Sequence, residues 1–450
     1  MLINIHPSAE NNYNKKANEL IELIEEFPTE EKKKSSFPSE LYVAASLTEE
    51  DIIGDIEVSS SDYRGNTIQR FFFVDKKKLG LSENNYKQLR EISERIQSLP
   101  AIRSMLSCSF VEKALFSWIT NKYKGINVQD SFIGYLNDEA QKVVKTITSW
   151  IPVANLEVQD SFTISKSKIS PLSKATIDKW AAKVENLTGD HKENSIRFFE
   201  KIRHDYQGLA AIVTTITAEP DYASDYALEE AQKITAVLGI FSGATLIPDI
   251  KCISNIKGSE NVSKFTILSR SDNEGLRMTN SIIDKSSIKY WRLGQREIIE
   301  IQKTGLDTIS SLLASDSPTN FEKAVLNSIF LYSKSAFTAD PVEKVVYMLS
   351  SLESILLKNE SEPIQQNLAE RIAVFTAQEL SKRKFIIKTI KSAYGVRSRY
   401  LHHGHTSSEM EIISEFMMQV WIFYIQLLAN VAQFRSQEEF VNALDDHKLS

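Results

Sequence analysis

From Pro318 onward apolar residues recur at helical spacing. Phe321, Ala324, Val325, Ile329 and Tyr332 mark one face of a first helix. Pro341 stands at the first position of a second, whose stripe is Val342, Val345, Val346, Leu349, Leu352 and Leu356. Ile364, Leu368, Ile372 and Phe375 mark a third, and Phe385 to about Leu401 a fourth that Gly395 weakens. Ser408 and Glu411 then have capping-box spacing before a long last helix. Ahead of Pro318 the pattern is mixed. Ile52–Val58 and Ile68–Val74 flank Asp62, Gly65 and Asn66 and predict a β-hairpin. Asn18–Glu26, Glu83–Gln97, Val111–Lys122, Glu139–Trp150, Ser173–His204 and Tyr226–Gly243 read as helical, and Leu156–Ile164 and Leu209–Thr217 as strands. The fold class is therefore α+β. Mixed α/β regions over 1–150 and 151–317 precede an all-α bundle of four or five helices over 318–440.

Composition changes this picture little. The apolar fraction of 42% and charged fraction of 25% suit an ordinary globular chain. Phe416–Phe434 carries no charge and is long enough to cross a bilayer, but Gln419, Gln426 and Gln433 repeat every seven residues. That polar stripe predicts a core or interface helix and no membrane partner. The start of the chain lacks the basic and apolar regions of a secretory signal. Cys108 and Cys252 lack metal-ligand spacing and read as buried free thiols in a reducing, cytoplasmic setting. There is no P-loop, dinucleotide-binding or zinc-hydrolase signature, and no nucleophile elbow. No cofactor is expected.

Charge matters more locally than globally. With 53 Lys and Arg against 59 Asp and Glu, the net charge of −6 gives no general attraction to nucleic acid. Yet Ser381–Ser408 holds Lys382, Arg383, Lys384, Lys388, Lys391, Arg397 and Arg399 with no carboxylate, and ends in His402, His403 and His405. Such a cluster suits a phosphodiester. It also suits a plain helix end whose cations complement the dipole, and a His-x-His pair can hold a metal. Positions 397 and 402 of a helix lie roughly 140° apart, whereas 399 and 403 share a face. Gly404 places the histidines at a fraying end or in a loop. Glu353, at the edge of an apolar stripe, either bridges to Arg371 or another arginine of the bundle, or orients Arg397 or a histidine.

Three segments in order carry a resemblance. They are Leu349–Leu356 (LSSLESIL), Asn367–Ala373 (NLAERIA) and Tyr394–Gly404 (YGVRSRYLHHG). The chain over about 318–435 resembles the Apea-like branch of the HEPN superfamily, with its L-E-x-L-L, L-A-E-R and Y-x-x-R-S-x-x-x-H-G motifs. The resemblance implies a HEPN-type helical bundle that pairs into a homodimer or higher oligomer. It also implies a metal-independent endoribonuclease site where the R-x(4–6)-H motifs of two subunits meet. Carried over by position, Arg397, His402 and His403 are the catalytic candidates. Glu353, Ser398, Arg399 and Tyr394 are supporting residues, and Lys388, Lys391 and Arg399 bind RNA, either tRNA or mRNA. His403 rather than His402 precedes Gly404, so both registers remain open. The family further implies a toxin-like role in antiphage defence by abortive infection, with the front of the chain sensing a phage-derived trigger. A catalytically silent dimerisation or RNA-binding module is the rival reading.

Overall fold

In the computed structural model the described residues are 3–28, 58–65, 67–75, 77–182, 184, 188–259, 264–270, 276–282, 287–288, 291–359, 361–403 and 409–449. The chain is mixed α/β and predominantly helical, with small sheets and a helical C-terminal region. It forms two compact units, Met1–Ile147 with Ile216–Asp225, and Thr148–Thr215 with Tyr226–Ser450.

The first unit starts with α1 (Pro7–Ile21), where Pro7 occupies the first turn and His6 caps it by accepting from the Ser8 N–H. Strands β1 (Glu25–Phe27), β2 (Val58–Ser61), β3 (Thr67–Val74) and β4 (Lys77–Gly80) form an antiparallel sheet in the order β1-β4-β3-β2. The expected hairpin is the β2–β3 pair, and residues 52–57 lie outside the described set. So does most of the charged segment 28–36. Helices α2 (Glu83–Gln97), α3 (Cys108–Tyr123) and α4 (Phe132–Val143) follow. Ser107 and Ser131 cap α3 and α4 with their hydroxyls. Tyr86, Phe72, Phe116, Trp118 and Phe132 are fully buried at the centre.

The helix expected over 139–150 is a correction. The helix ends at Val143 and β5 runs over Lys145–Ala154. Thr146, Ile147 and Thr148 are three consecutive β-branched residues, which favours strand. The strand expected over 156–164 is broken at Gln159–Ser161 into β6 (Leu156–Val158) and β7 (Phe162–Ile164). Next come β8 (Ser167–Pro171), α5 (Lys174–Ala181), α6 (Gly189–Tyr206), β9 (Ala210–Ala218) and α7 (Pro220–Ile240). Helix α7 begins at Pro220, six positions before the apolar stripe suggested, because proline seeds a first turn.

In the second unit β10 (Lys251–Cys252), β11 (Asn255–Ile256), β12 (Lys264–Arg270), β13 (Leu276–Ile282), β14 (Ser287–Ile288) and β15 (Trp291–Leu293) are short. Helices α8 (Gln295–Ile301) and α9 (Asp307–Ala314) are joined by a wide turn at Gln302–Leu306. Gly305 has φ 133° there, and a Cβ at this position would strike Leu428.

Six helices close the chain among the described residues, against four or five expected. They are α10 (Asn320–Lys334), α11 (Pro341–Leu356), α12 (Ile364–Thr376), α13 (Leu380–His403), α14 (Met410–Asn430) and α15 (Gln437–Leu449). Helix α15 was missed because its polar residues leave a weak stripe around Phe440, Val441 and Leu444. One hydrophobic core runs from Val153 to Leu444, so 151–317 and 318–440 share it. By length and composition α14 could cross a membrane. In this fold Phe416, Met417, Val420, Phe423, Tyr424 and Leu427 fill the core instead. Cys252 is buried and Cys108 only half-buried; both are free.

Two buried cations organise the helices. Lys344 on α11 is fully buried, and its Nζ donates to the carbonyls of Ala244, Ile247 (3.2 Å) and Ile250 (2.5 Å). Burial pushes this amine down to about 8. Arg371 on α12, 2% exposed, donates through Nε and Nη2 to Asp445 at 2.9 and 2.8 Å. Its Nη1 reaches the Leu356 carbonyl and Glu362, both at 2.7 Å.

Candidate functional site

Helix α13 carries most of the candidate residues and α11 the rest. α13 starts at Leu380, five residues before its expected start, and runs unbroken past Gly395 to His403. His402 and His403 therefore stand in its last turn and not in a loop. Their side chains, Gly404 and His405 lie outside the described set. The capping box is a second correction. Helix α14 starts at Met410 with Glu409 at the cap and no side-chain capping bond, while Ser408 is outside the described residues.

Glu353 sits in the last turn of α11, beside buried Leu352 and Leu356. Its Oε1 accepts from the Tyr394 hydroxyl at 2.7 Å and from Arg397 Nη1 at 2.5 Å. Tyr394 and Arg397 are one turn apart on α13, so a single carboxylate oxygen can meet both. The guanidinium carbon is also 5.9 Å from the centre of the Tyr394 ring, within cation–π reach. Burial, helped by the bond and charge of Glu353, holds the Tyr394 phenol far above its usual range. It stays a neutral donor. Side chains of Arg397 and Glu353 keep 25% and 20% exposure, so the pair opens to solvent. Among the described residues Arg397 Nε and Nη2 have no partner.

Glu353 does not bridge to Arg371 but to Arg397, another arginine of the bundle, so the one contact fits both roles open to it, the structural bridge and the orienting of Arg397. Arg371 takes Glu362 and Asp445, and Glu353 takes Arg397.

The other residues separate. Arg399 is paired with Glu409, the first carboxylate beyond the basic window. No spacing rule flags a partner ten positions along the chain, so sequence reading missed it. Ser398 is exposed, next to Arg397 in sequence but outside its cluster. Lys391 Nζ donates to Gln366 Oε1 on α12 at 2.5 Å, and Lys388 is exposed. Lys382 pairs with Glu379 at 3.3 Å, while Arg383 Nε donates to the Ala377 carbonyl at 2.9 Å.

The arrangement thus offers a fixed, partly solvated arginine with two donor groups unpartnered among the described residues, on a helix whose final turn holds two histidines. No protein-family model, curated protein or solved structure matches the chain.

Proposed function

We propose that the C-terminal helical region is a HEPN-type, metal-independent endoribonuclease. The observation that supports it best is the shared Glu353 oxygen, which fixes Arg397 while leaving Nε and Nη2 for phosphate oxygens. In the proposed reaction one histidine takes the proton of an RNA 2′-OH, whose oxygen attacks the adjacent phosphorus. The bond to O5′ breaks, and a second imidazolium gives that oxygen a proton. A 2′,3′-cyclic phosphate and a 5′-OH result. Histidine fits both proton roles because its ordinary pKa is about 6.5. Arg397 meets the charge that develops on phosphorus oxygens. In this reading two chains pair and bring two copies of positions 397, 402 and 403 to one groove. The setting is the cytoplasm, the context antiphage defence, and the front of the chain responds to a trigger.

The test is RNA cleavage by the full chain in EDTA, comparing wild type with Arg397→Ala and with His402→Ala/His403→Ala. Cleavage by wild type and its loss in both variants is the expected result. Intact RNA under conditions where wild type is toxic in cells removes the nuclease. A silent RNA-binding or dimerisation module is favoured by a specific feature, the neutralisation of Arg397 by Glu353 and of Arg399 by Glu409. Toxicity unchanged in those variants would select it.

A further inference from the structure

Lys384, Lys388, Lys391, Gly395, Ser398 and position 402 follow one another on α13 at steps of four, three, four, three and four residues. At roughly 100° per residue they lie in a strip about 80° wide. Position 403 falls roughly 100° from Lys384, and Arg397 on the far side, facing Glu353. Lys384, Lys388 and Ser398 are exposed. Among the described residues neither Lys384 nor Lys388 is in an ion pair, while Lys382, Arg397 and Arg399 each are. Lys384, Lys388 and Lys391, none of them in an ion pair among the described residues, thus gather on one face, while Arg383, about 100° from Lys384 and bonded to the Ala377 carbonyl, lies off it.

Gly395 lies in the middle of that face. A helix-interior glycine costs about 1 kcal/mol. Packing does not demand it, since a Cβ there would meet only the Arg399 tip at 3.4 Å. What glycine supplies is bare backbone between Lys391 and Ser398, where another chain can approach closely. Phe385, 46% exposed, flanks Lys388 with an unpartnered ring face.

We propose that this strip is a track for single-stranded RNA, running from Lys384 toward position 402 and entering the site from that side. The inference rests on RNA being the substrate, and it selects His402 over His403 as the histidine on the strand's path. From Lys384 to position 402 the helix rises ~27 Å, which covers at most about eight nucleotides at ~3.4 Å each. The lysines meet phosphates, and Phe385 gives one base a surface to stack on. An anionic membrane fits less well, since Leu380 and Phe385 are the only large apolar side chains exposed beside the lysines on the described part of α13, too few for an apolar face that inserts.

The test is anisotropy of a 2′-O-methylated oligouridylate, which binds without being cut, titrated at several salt concentrations with the full chain. Each phosphate contact contributes about 0.7 to the salt slope of a single strand. Lys384→Gln/Lys388→Gln is expected to lower that slope by about 1.4 and the affinity on the order of tenfold. Phe385→Ala is expected to weaken binding on the order of tenfold with the slope unchanged. Gly395→Gln is expected to weaken binding while raising the melting temperature. An unchanged slope in the lysine pair overturns the track. So does wild-type binding to phosphatidylserine vesicles but not to the oligouridylate. Binding with the expected slopes by a protein that leaves ordinary RNA uncut supports the track and removes the nuclease. Cleavage with unchanged slopes keeps the nuclease and removes the track.

Discussion

Arg371 on α12 and Arg397 on α13 are both held by carboxylates from outside their own helices, but in different ways. Arg371 is 3% exposed at its side chain, meets two carboxylates and a carbonyl, and has four of its five N–H groups engaged. Arg397 is a quarter exposed and spends one nitrogen on one oxygen. The first is a joint between α12, α15 and the end of α11. The second is a positioned cation with unused capacity. A buried ion pair by itself is weak evidence of function; the unused donors mark the difference.

The widest gap between the two is expected in stability. Arg371→Ala removes the guanidinium from Asp445, which keeps Lys358 and Lys448, and from the mostly buried Glu362, which keeps Asn367 and the Lys358 N–H, and its cost is expected at about 3 kcal/mol by urea unfolding. Arg397→Ala leaves Glu353 with Tyr394 and with water, at about 1–2 kcal/mol. Equal costs would break the comparison. In turnover the order reverses. Arg397→Ala is expected to slow cleavage of RNA by about 10²–10³-fold, measured at saturating substrate. Arg371→Lys, if it folds, is expected to cleave like wild type.

Acid sharpens the contrast. Hydrogen bonds from Arg371, then from Lys358 and Lys448, hold the Asp445 carboxyl well below the usual range. Its folded pKa lies under the unfolded value of about 3.9, so in that interval the unfolded chain binds more protons. The stabilisation is complete above about pH 4 and is lost as pH falls through the lower folded value. Asp445→Asn is expected to flatten the fall in stability between about pH 4 and pH 2. The smallest effect belongs to Glu353→Gln, expected to cost under about 1 kcal/mol because the amide oxygen still accepts. Its informative readout is the pH–rate profile, which a merely structural Glu353 would leave in place.

Legibility in the sequence followed the strength of each periodic pattern. Helix α11 was readable from Pro341 and its stripe, and α2 from an apolar pattern spanning Glu83–Gln97. At 139–150 the helical reading failed because the run of β-branched residues Thr146–Thr148 favours strand. Segment 318–440 looked separate because its texture is helical, yet burial joins it to Val153 and Leu293 in one core. At the site, Tyr394, Arg397 and Glu353 were all legible as chemistry, but their meeting at a single oxygen was not. That meeting depends on how α11 crosses α13, which no local pattern encodes. Glu409 and Gln366, which occupy Arg399 and Lys391, are likewise contacts of tertiary structure.

Lys344 gives the Arg397 cluster a distant anchor. Its amine is gripped by the carbonyls of 244, 247 and 250, so α11 can neither turn nor slide against the loop that follows α7. Nine residues further along the same rod, about 13 Å away, stands Glu353. The loop and the carboxylate are therefore joined through one helix and three hydrogen bonds. A displacement of 244–250 that keeps those bonds is expected to shift α11 and with it the single oxygen that Tyr394 and Arg397 share.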